Sequence, residues 1–174
     1  RNSHFHHCTR GIWLDWQTQG SRVSSCLFHD NCLPRDYLLE NGGEPGLALG
    51  EDLFIEIAHG PCLVDNNVLL SERAVKLPTQ GVAFVHNLIA GAITAVGRGV
   101  KNGSSEKYDS TRYTPIHRPH STAITGFMSI LHGDVRFYNN VFVQPDVRPG
   151  LTRLCAPLQG PNCPEKQWDD FNLT

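Results

Sequence analysis

Four short stretches of the chain alternate apolar and polar residues: Leu14-Asp15-Trp16, Ile55-Glu56-Ile57, Val75-Lys76-Leu77 and Met128-Ser129-Ile130. A period of two marks a strand with one buried face. Two positions before each polar centre, on the same face, stand Trp13, Phe54, Ala74 and Phe127. Eleven residues after each centre comes a small or polar residue followed by apolar ones: Cys26, Asn67, Asn87 and Asn140, with His4 heading a fifth such segment. The spacings between these markers are 22, 41, 20 and 53. Residues 33–51 (LPRDYLLENGGEPGLALGE) match nothing in the other segments, and removing these 19 residues turns 41 into 22. A second excursion lies between 91 and 125 and contains the loop-like GRGVKNGSSEKYDST.

A repeat near 21 residues, built of strands without helical periodicity, predicts the coil of a parallel β-helix. The expected fold is therefore all-β, a partial right-handed parallel β-helix over residues 1–143. Insertions are expected at about 33–51 and 91–112. From Gln144 the pattern stops and Pro recurs, so 144–174 reads as an irregular tail or linker. Asn at the marker suits a side-chain ladder, each amide bonding the Asn of the next coil. His4 and Cys26 interrupt that ladder. In this register Asp15, Glu56, Lys76 and Ser129 form one outward column, beside a column of Trp13, Phe54, Ala74 and Phe127.

Stacking Asp15 over Glu56 has chemical consequences. Neighbouring strands lie ~4.8 Å apart, so the two carboxyls should be separated by about 5 Å. Retaining glycosidases hold two carboxyls about 5–5.5 Å apart, so that one attacks the sugar directly. Glu56 sits between Ile55 and Ile57, where burial favours the protonated form a proton donor needs. Asp15 is then the ionised nucleophile. Lys76, next in the column, works against a protonated Glu56. Trp13, Trp16 and Phe54 are candidate sugar-stacking aromatics. His59 follows Glu56 by three residues and Gly60-Pro61 ends that strand, which places it at the rim. His117, Arg118 and His120 lie in a Pro-framed loop suited to fold over the same face. Together they offer the donors and acceptors that sugar hydroxyls require.

The strings GIWLDWQTQGSRVSSCLFHDN, DLFIEIAHGPCLVDNN, GVAFVHNL, TPIHRPHSTAITGFM and HGDVRFYNNVFV resemble the right-handed β-helix β-xylosidases of glycoside hydrolase family 120. The resemblance covers roughly residues 2–143, leaving out 33–51 and part of 91–112. It implies a retaining, exo-acting enzyme on xylo-oligosaccharides or related glycosides, with no cofactor. In that family the nucleophile is an Asp in a WLDW-like strand, matched by Asp15. The acid/base is a Glu in a DLF-x-E strand, matched by Glu56. The chain departs from the family at 33–51, between the two catalytic strands. It also lacks the rest of the β-helix and the β-sandwich that such enzymes carry, so it is read as a segment.

The remaining features narrow the picture. A net charge of −2 and a pI near 6.5 show no electrostatic footprint for nucleic acid. No apolar run is long enough to cross a bilayer. The chain opens on Arg1-Asn2-Ser3-His4, neither an initiator Met nor a signal peptide, which leaves the compartment open. Oligomerisation is also left open. The six cysteines are scattered and are expected to be free and mostly buried, with Cys155 and Cys163 the best disulfide candidates. His4, His6, His7 and Cys8 cluster, but no second ligand group follows at zinc spacing, so no metal is expected. Two other functions compete. One is a calcium-dependent polysaccharide lyase, with Asp15, Glu51, Asp52 and Glu56 around the ion and Lys76 as base. The other is a non-catalytic sugar-binding β-helix.

Overall fold

The computed structural model describes residues 1–32, 50–95, 113–129 and 133–143. Its strands wind in coils: β1 (His4–His6); β2 (Arg10–Leu14), β3 (Ser21–Ser24), β4 (Leu27–His29); β5 (Glu51–Ile55), β6 (Cys62–Asp65), β7 (Val68–Leu69); and β8 (Arg73–Leu77), β9 (Val82–Val85), β10 (Leu88–Ile89). The last coil holds β11 (Ala92–Ala95), a hairpin of β12 (Tyr113–His117) and β13 (Ile124–Ser129), then β14 (Val135–Tyr138) and β15 (Val141–Phe142). Strands of successive coils pair in parallel into three sheets, ordered β2-β5-β8-β11, β3-β6-β9-β14 and β1-β4-β7-β10-β15. This is the parallel β-helix that the repeat predicts, all-β among the described residues.

Alternation explains which face is buried. In β5 Leu53 and Ile55 enter the core, while Phe54 and the following Glu56 point outward. Phe28, Val64, Leu69, Val75, Phe84 and Ile89 fill the interior from all three sheets. Phe5 stacks on Phe28 and Phe84 on Phe137, so one coil's aromatic layer continues into the next. Gly11 is dictated by this packing. A Cβ there would lie 2.6 Å from the Asp52 carbonyl oxygen and 2.8 Å from the Phe28 ring.

The asparagine ladder is present. Asn67 Nδ2 donates to Asn87 Oδ1 at 3.0 Å, and Asn87 Nδ2 to Asn140 Oδ1 at 2.9 Å. The same oxygens also accept the backbone amides of Asn67 and Asn87. Asn67 and Asn87 are almost fully buried, so these bonds satisfy groups that could not reach water. Cys26 replaces Asn in the second coil, and its amide still donates to Asn67 Oδ1. Two further corners are closed by acids. Asp52 accepts from Asn31 Nδ2 and the Ser71 amide, and burial raises its pKa against those bonds. Asp65 takes both arms of Arg22 at 2.7 Å, and that bonding holds its carboxyl below the usual range.

The structure corrects the predicted register in three places. Lys76 pairs with Phe54, not Glu56, and Ala74 lies in the core. The reason is turn length: six residues link β2 to β3 (15–20) and β5 to β6 (56–61), but four link β8 to β9 (78–81). Phe127 and Ser129 belong to no coil, because β13 pairs antiparallel with β12. The fourth strand of that sheet is β11, where Thr94 takes the position beside Lys76. In the first coil Ser3, not His4, is the ladder position, since His4 pairs with Leu27 and not with Cys26. The edges of the insertions move accordingly. Glu51 opens β5, and Ala92–Ala95 is a coil strand. Residues 33–49, 96–112 and 144–174, including Cys155 and Cys163, lie outside the described residues. Of the other cysteines, all free, Cys26 and Cys62 are buried, Cys8 half-buried and Cys32 exposed. Burial pushes the Cys62 thiol up to about 12.

Candidate active site

The two six-residue turns build the site. Asp15 and Glu56 are their first residues, directly after the paired Leu14 and Ile55. The Glu56 amide donates to the Leu14 carbonyl at 2.8 Å, which carries the parallel register one residue past the strands. Asp15 and Glu56 therefore stand on adjacent rungs, as the column argument expects. Asp15 is exposed, and its Oδ1 accepts the Trp16 amide at 2.7 Å. Its carbonyl accepts the Thr18 amide, and Gln17 takes a positive φ of 69°, so the chain turns sharply away from β2. Glu56 is half-buried and its Oε2 accepts Trp13 Nε1 at 3.1 Å. One acid is thus held by its own turn and the other by the aromatic of the neighbouring rung.

Trp13 and Phe54 stack across β2 and β5, ring centres 5.6 Å apart. Trp13 keeps 49% of its surface exposed, Trp16 45%, but Phe54 only 5%. The expectation of an open Phe54 face is corrected. Arg10 lies 4.3 Å from its ring centre and Lys76 5.1 Å, and Trp13 flanks it. Phe54 supports Trp13 from beneath. Arg10 also sits 4.4 Å from the Trp13 ring and is anchored by Glu51 at 3.1 Å. Cations over aromatic faces are worth about 0.5–2 kcal/mol, the more so when desolvated.

The hairpin β12–β13 lies against both turns. Gln19 Nε2 donates to the Pro115 carbonyl at 3.0 Å, and its Oε1 accepts the His117 amide at 3.0 Å. His59 Nε2 donates to the Thr114 carbonyl at 3.1 Å, while its Nδ1 accepts from Gln80 at 3.0 Å. Both ring nitrogens of His59 are thereby engaged with protein, so His59 anchors the hairpin. His117 lies half-buried on the anchored strand. Arg118 and His120 stand exposed at the hairpin tip, which closes through Arg118 N–H to the Ala123 carbonyl.

The other carboxyls proposed for calcium are committed elsewhere. Glu51 pairs with Arg10, and Asp52 faces the opposite way into the corner with Asn31 and Ser71. Lys76 sits over Phe54, a rung position away from Glu56. His4, His6 and His7 gather with His29, which the chain brings from 25 residues beyond His4. His4 Nε2 and His29 Nε2 are 2.6 Å apart, and the His29 Nδ1 meets Asp30. Among the described residues no group of three His, Cys, Asp or Glu converges as metal ligands. Arg10 and Gln19 had no signal in the sequence. Their partners are set by the coil stacking and by a hairpin almost a hundred residues away.

No family model matches the chain, and no curated protein matches it. Among solved structures one decides the comparison: 40% identical, TM-score 0.62, aligned over 84% of this chain. The chain is similar to XylC. That structure is of XylC in complex with xylose. The chain spans 18% of the length of XylC, so the likeness concerns one part of a longer protein. Identity at this level over 84% of the chain makes XylC a likeness in sequence as well as in fold.

Proposed function

We propose that this chain carries the two catalytic carboxylates of a retaining β-glycosidase acting on xylose-type sugars. The observation that carries the reading is the pairing of Leu14 with Ile55, which sets Asp15 and Glu56 side by side on adjacent rungs. Asp15 is exposed and lies at the start of an open turn, as a nucleophile that must reach an anomeric carbon should. Glu56 is half-buried and its Oε2 accepts Trp13 Nε1, which fixes the carboxyl beside Asp15 as the donor of the proton to the leaving oxygen. Asp15 attacks and the glycosidic bond breaks as Glu56 protonates the departing oxygen. Glu56 then takes a proton from water, which releases the sugar from Asp15. Trp13 and Trp16 supply exposed aromatic surface for the sugar ring. The similarity to XylC, solved with xylose, supports a xylose-type substrate.

The calcium-lyase reading loses two of its four ligands to protein partners and its base to the Phe54 face, as described above. A non-catalytic sugar-binding β-helix would keep the aromatics and never turn over. The decisive test is the anomer of the first product from an aryl β-xyloside, read by proton NMR in the protein that carries this chain. Direct attack between carboxyls about 5 Å apart releases the β-anomer first. An α-anomer at early times means inversion and removes Asp15 as nucleophile. No turnover by wild type leaves binding as the function.

A further inference from the structure

We propose that Gln19 and His59 are positioning residues that dock the β12–β13 hairpin onto the two long turns, making the hairpin one wall of the sugar site. The docking half stands on geometry alone. The wall half rests on the glycosidase reading above.

Pro115 lies in the middle of β12 and has no amide hydrogen, so β12 is suited only to a sheet edge. A hairpin of two strands is at best marginally stable by itself in water. Its β13 partner exposes Ile124, Phe127 and Met128, so the hairpin is held from the β12 side, where Thr114 and Pro115 are buried. Polar contacts fix that strand in place. On one edge of β12 the Pro115 carbonyl and the His117 amide need partners, and the single carboxamide of Gln19 meets both, each at 3.0 Å. A side-chain amide offers one donor and one acceptor, and here it replaces the peptide group of a missing neighbouring strand. One residue earlier, the Thr114 carbonyl takes His59 Nε2, and Gln80 fixes the tautomer of that ring from the third coil.

Position makes this more than structural. Gln19 lies four residues past Asp15 in the same turn, and His59 three past Glu56 in the next. Each clamp therefore comes from a turn that begins with one of the two carboxyls. The third coil has a four-residue turn and contributes only Gln80, behind His59. The two extra residues in the first two turns make room for both functions, the acid and the clamp. His117, on the clamped strand, is thereby brought to the rim of those turns.

The test uses the protein that carries this chain and two substitutions at one position. Gln19→Met has the same reach and neither polar group. Gln19→Glu keeps the acceptor for the His117 amide and loses the donor for Pro115. Hydrogen exchange at the His117 amide should speed up roughly tenfold or more in Gln19→Met and return toward wild type in Gln19→Glu, with β6 and β9 unchanged. Unchanged exchange at His117 in Gln19→Met overturns the clamp. Equal acceleration in β6 and β9 overturns it too, because general destabilisation would then explain the loss. The sugar site is read separately, with xylobiose binding and the KM for an aryl β-xyloside. Both should weaken roughly fivefold in Gln19→Met while kcat stays within about twofold, the mark of a binding contact loosened without loss of chemistry. Lost His117 protection with unchanged Kd and KM overturns the wall and leaves the docking standing. A wild type that neither binds xylobiose nor cleaves the xyloside overturns the glycosidase reading, while His117 exchange still decides the clamp.

Discussion

Asp15→Asn is expected to lower the hydrolysis of aryl β-xylosides by roughly 10⁴-fold or more, with the fold intact. The size follows from what is removed. An amide cannot form the covalent glycosyl ester, and loss of a nucleophile from a concerted site costs on the order of 10⁴–10⁶ in kcat. The fold survives because Asp15 is exposed and its side chain meets the Trp16 amide through one oxygen. Asparagine retains an oxygen at the same place, so the turn after β2 can still close. Thermal unfolding should therefore move little, as surface changes usually fall within about 0.5 kcal/mol. A variant that keeps more than a tenth of wild-type rate with an unchanged melting temperature would remove Asp15 from the reaction. A variant that unfolds would instead show that the Asp15 turn supports the coil stack.

Glu56→Gln should divide substrates by their leaving groups. Glutamine keeps the acceptor for Trp13 Nε1 and loses the transferable proton. A dinitrophenyl glycoside departs without protonation and should lose little in the first step. A phenyl or alkyl glycoside needs the proton, and general-acid catalysis is worth about 10²–10⁴-fold. The second step then becomes limiting for the activated substrate, because Glu56 also serves as base for water. Added azide, which needs no base, should restore that rate and yield the β-glycosyl azide. Equal losses on good and poor leaving groups, with no azide effect, would mean that Glu56 is not the acid/base.

The strands, the Asn ladder and the Asp15–Glu56 rung were legible in the chain because each rests on a short period repeated without gaps. Alternation around Asp15 and Glu56 fixes which residues face out, and both turns that follow have the same length, so the column aligned. The third coil went astray because its turn is shorter by two, and a period of two hides a slip of two. Val75-Lys76-Leu77 reads the same in either register. Alternation also identifies a strand without naming its partner. ITGFMS in β13 looks like a coil strand but pairs antiparallel with β12, while AITA in β11, short and small, carries too weak a pattern to mark it as a coil strand. Phe54 shows a different gap. Its outward position was correct, but only the stacked coils reveal that Arg10 and Lys76 cover it. The clamp by Gln19 was invisible for the same reason, since a single polar residue in a turn gives no hint of a hairpin 96 residues away.

The most direct test of the central claim is to trap the covalent sugar. A 2-deoxy-2-fluoro-β-xyloside with a good leaving group slows both steps, but more so the release from the enzyme, so the glycosyl-enzyme accumulates. Intact mass of the protein that carries this chain should rise by one fluoro-xylosyl group, and peptide mapping should place it on Asp15 within the segment Trp13 to Trp16. Prior substitution Asp15→Asn should abolish the adduct. An adduct on Glu56 or on a carboxylate outside the two long turns, or none at all from a protein that cleaves ordinary xylosides, would contradict the assignment of Asp15 as the nucleophile beside Glu56.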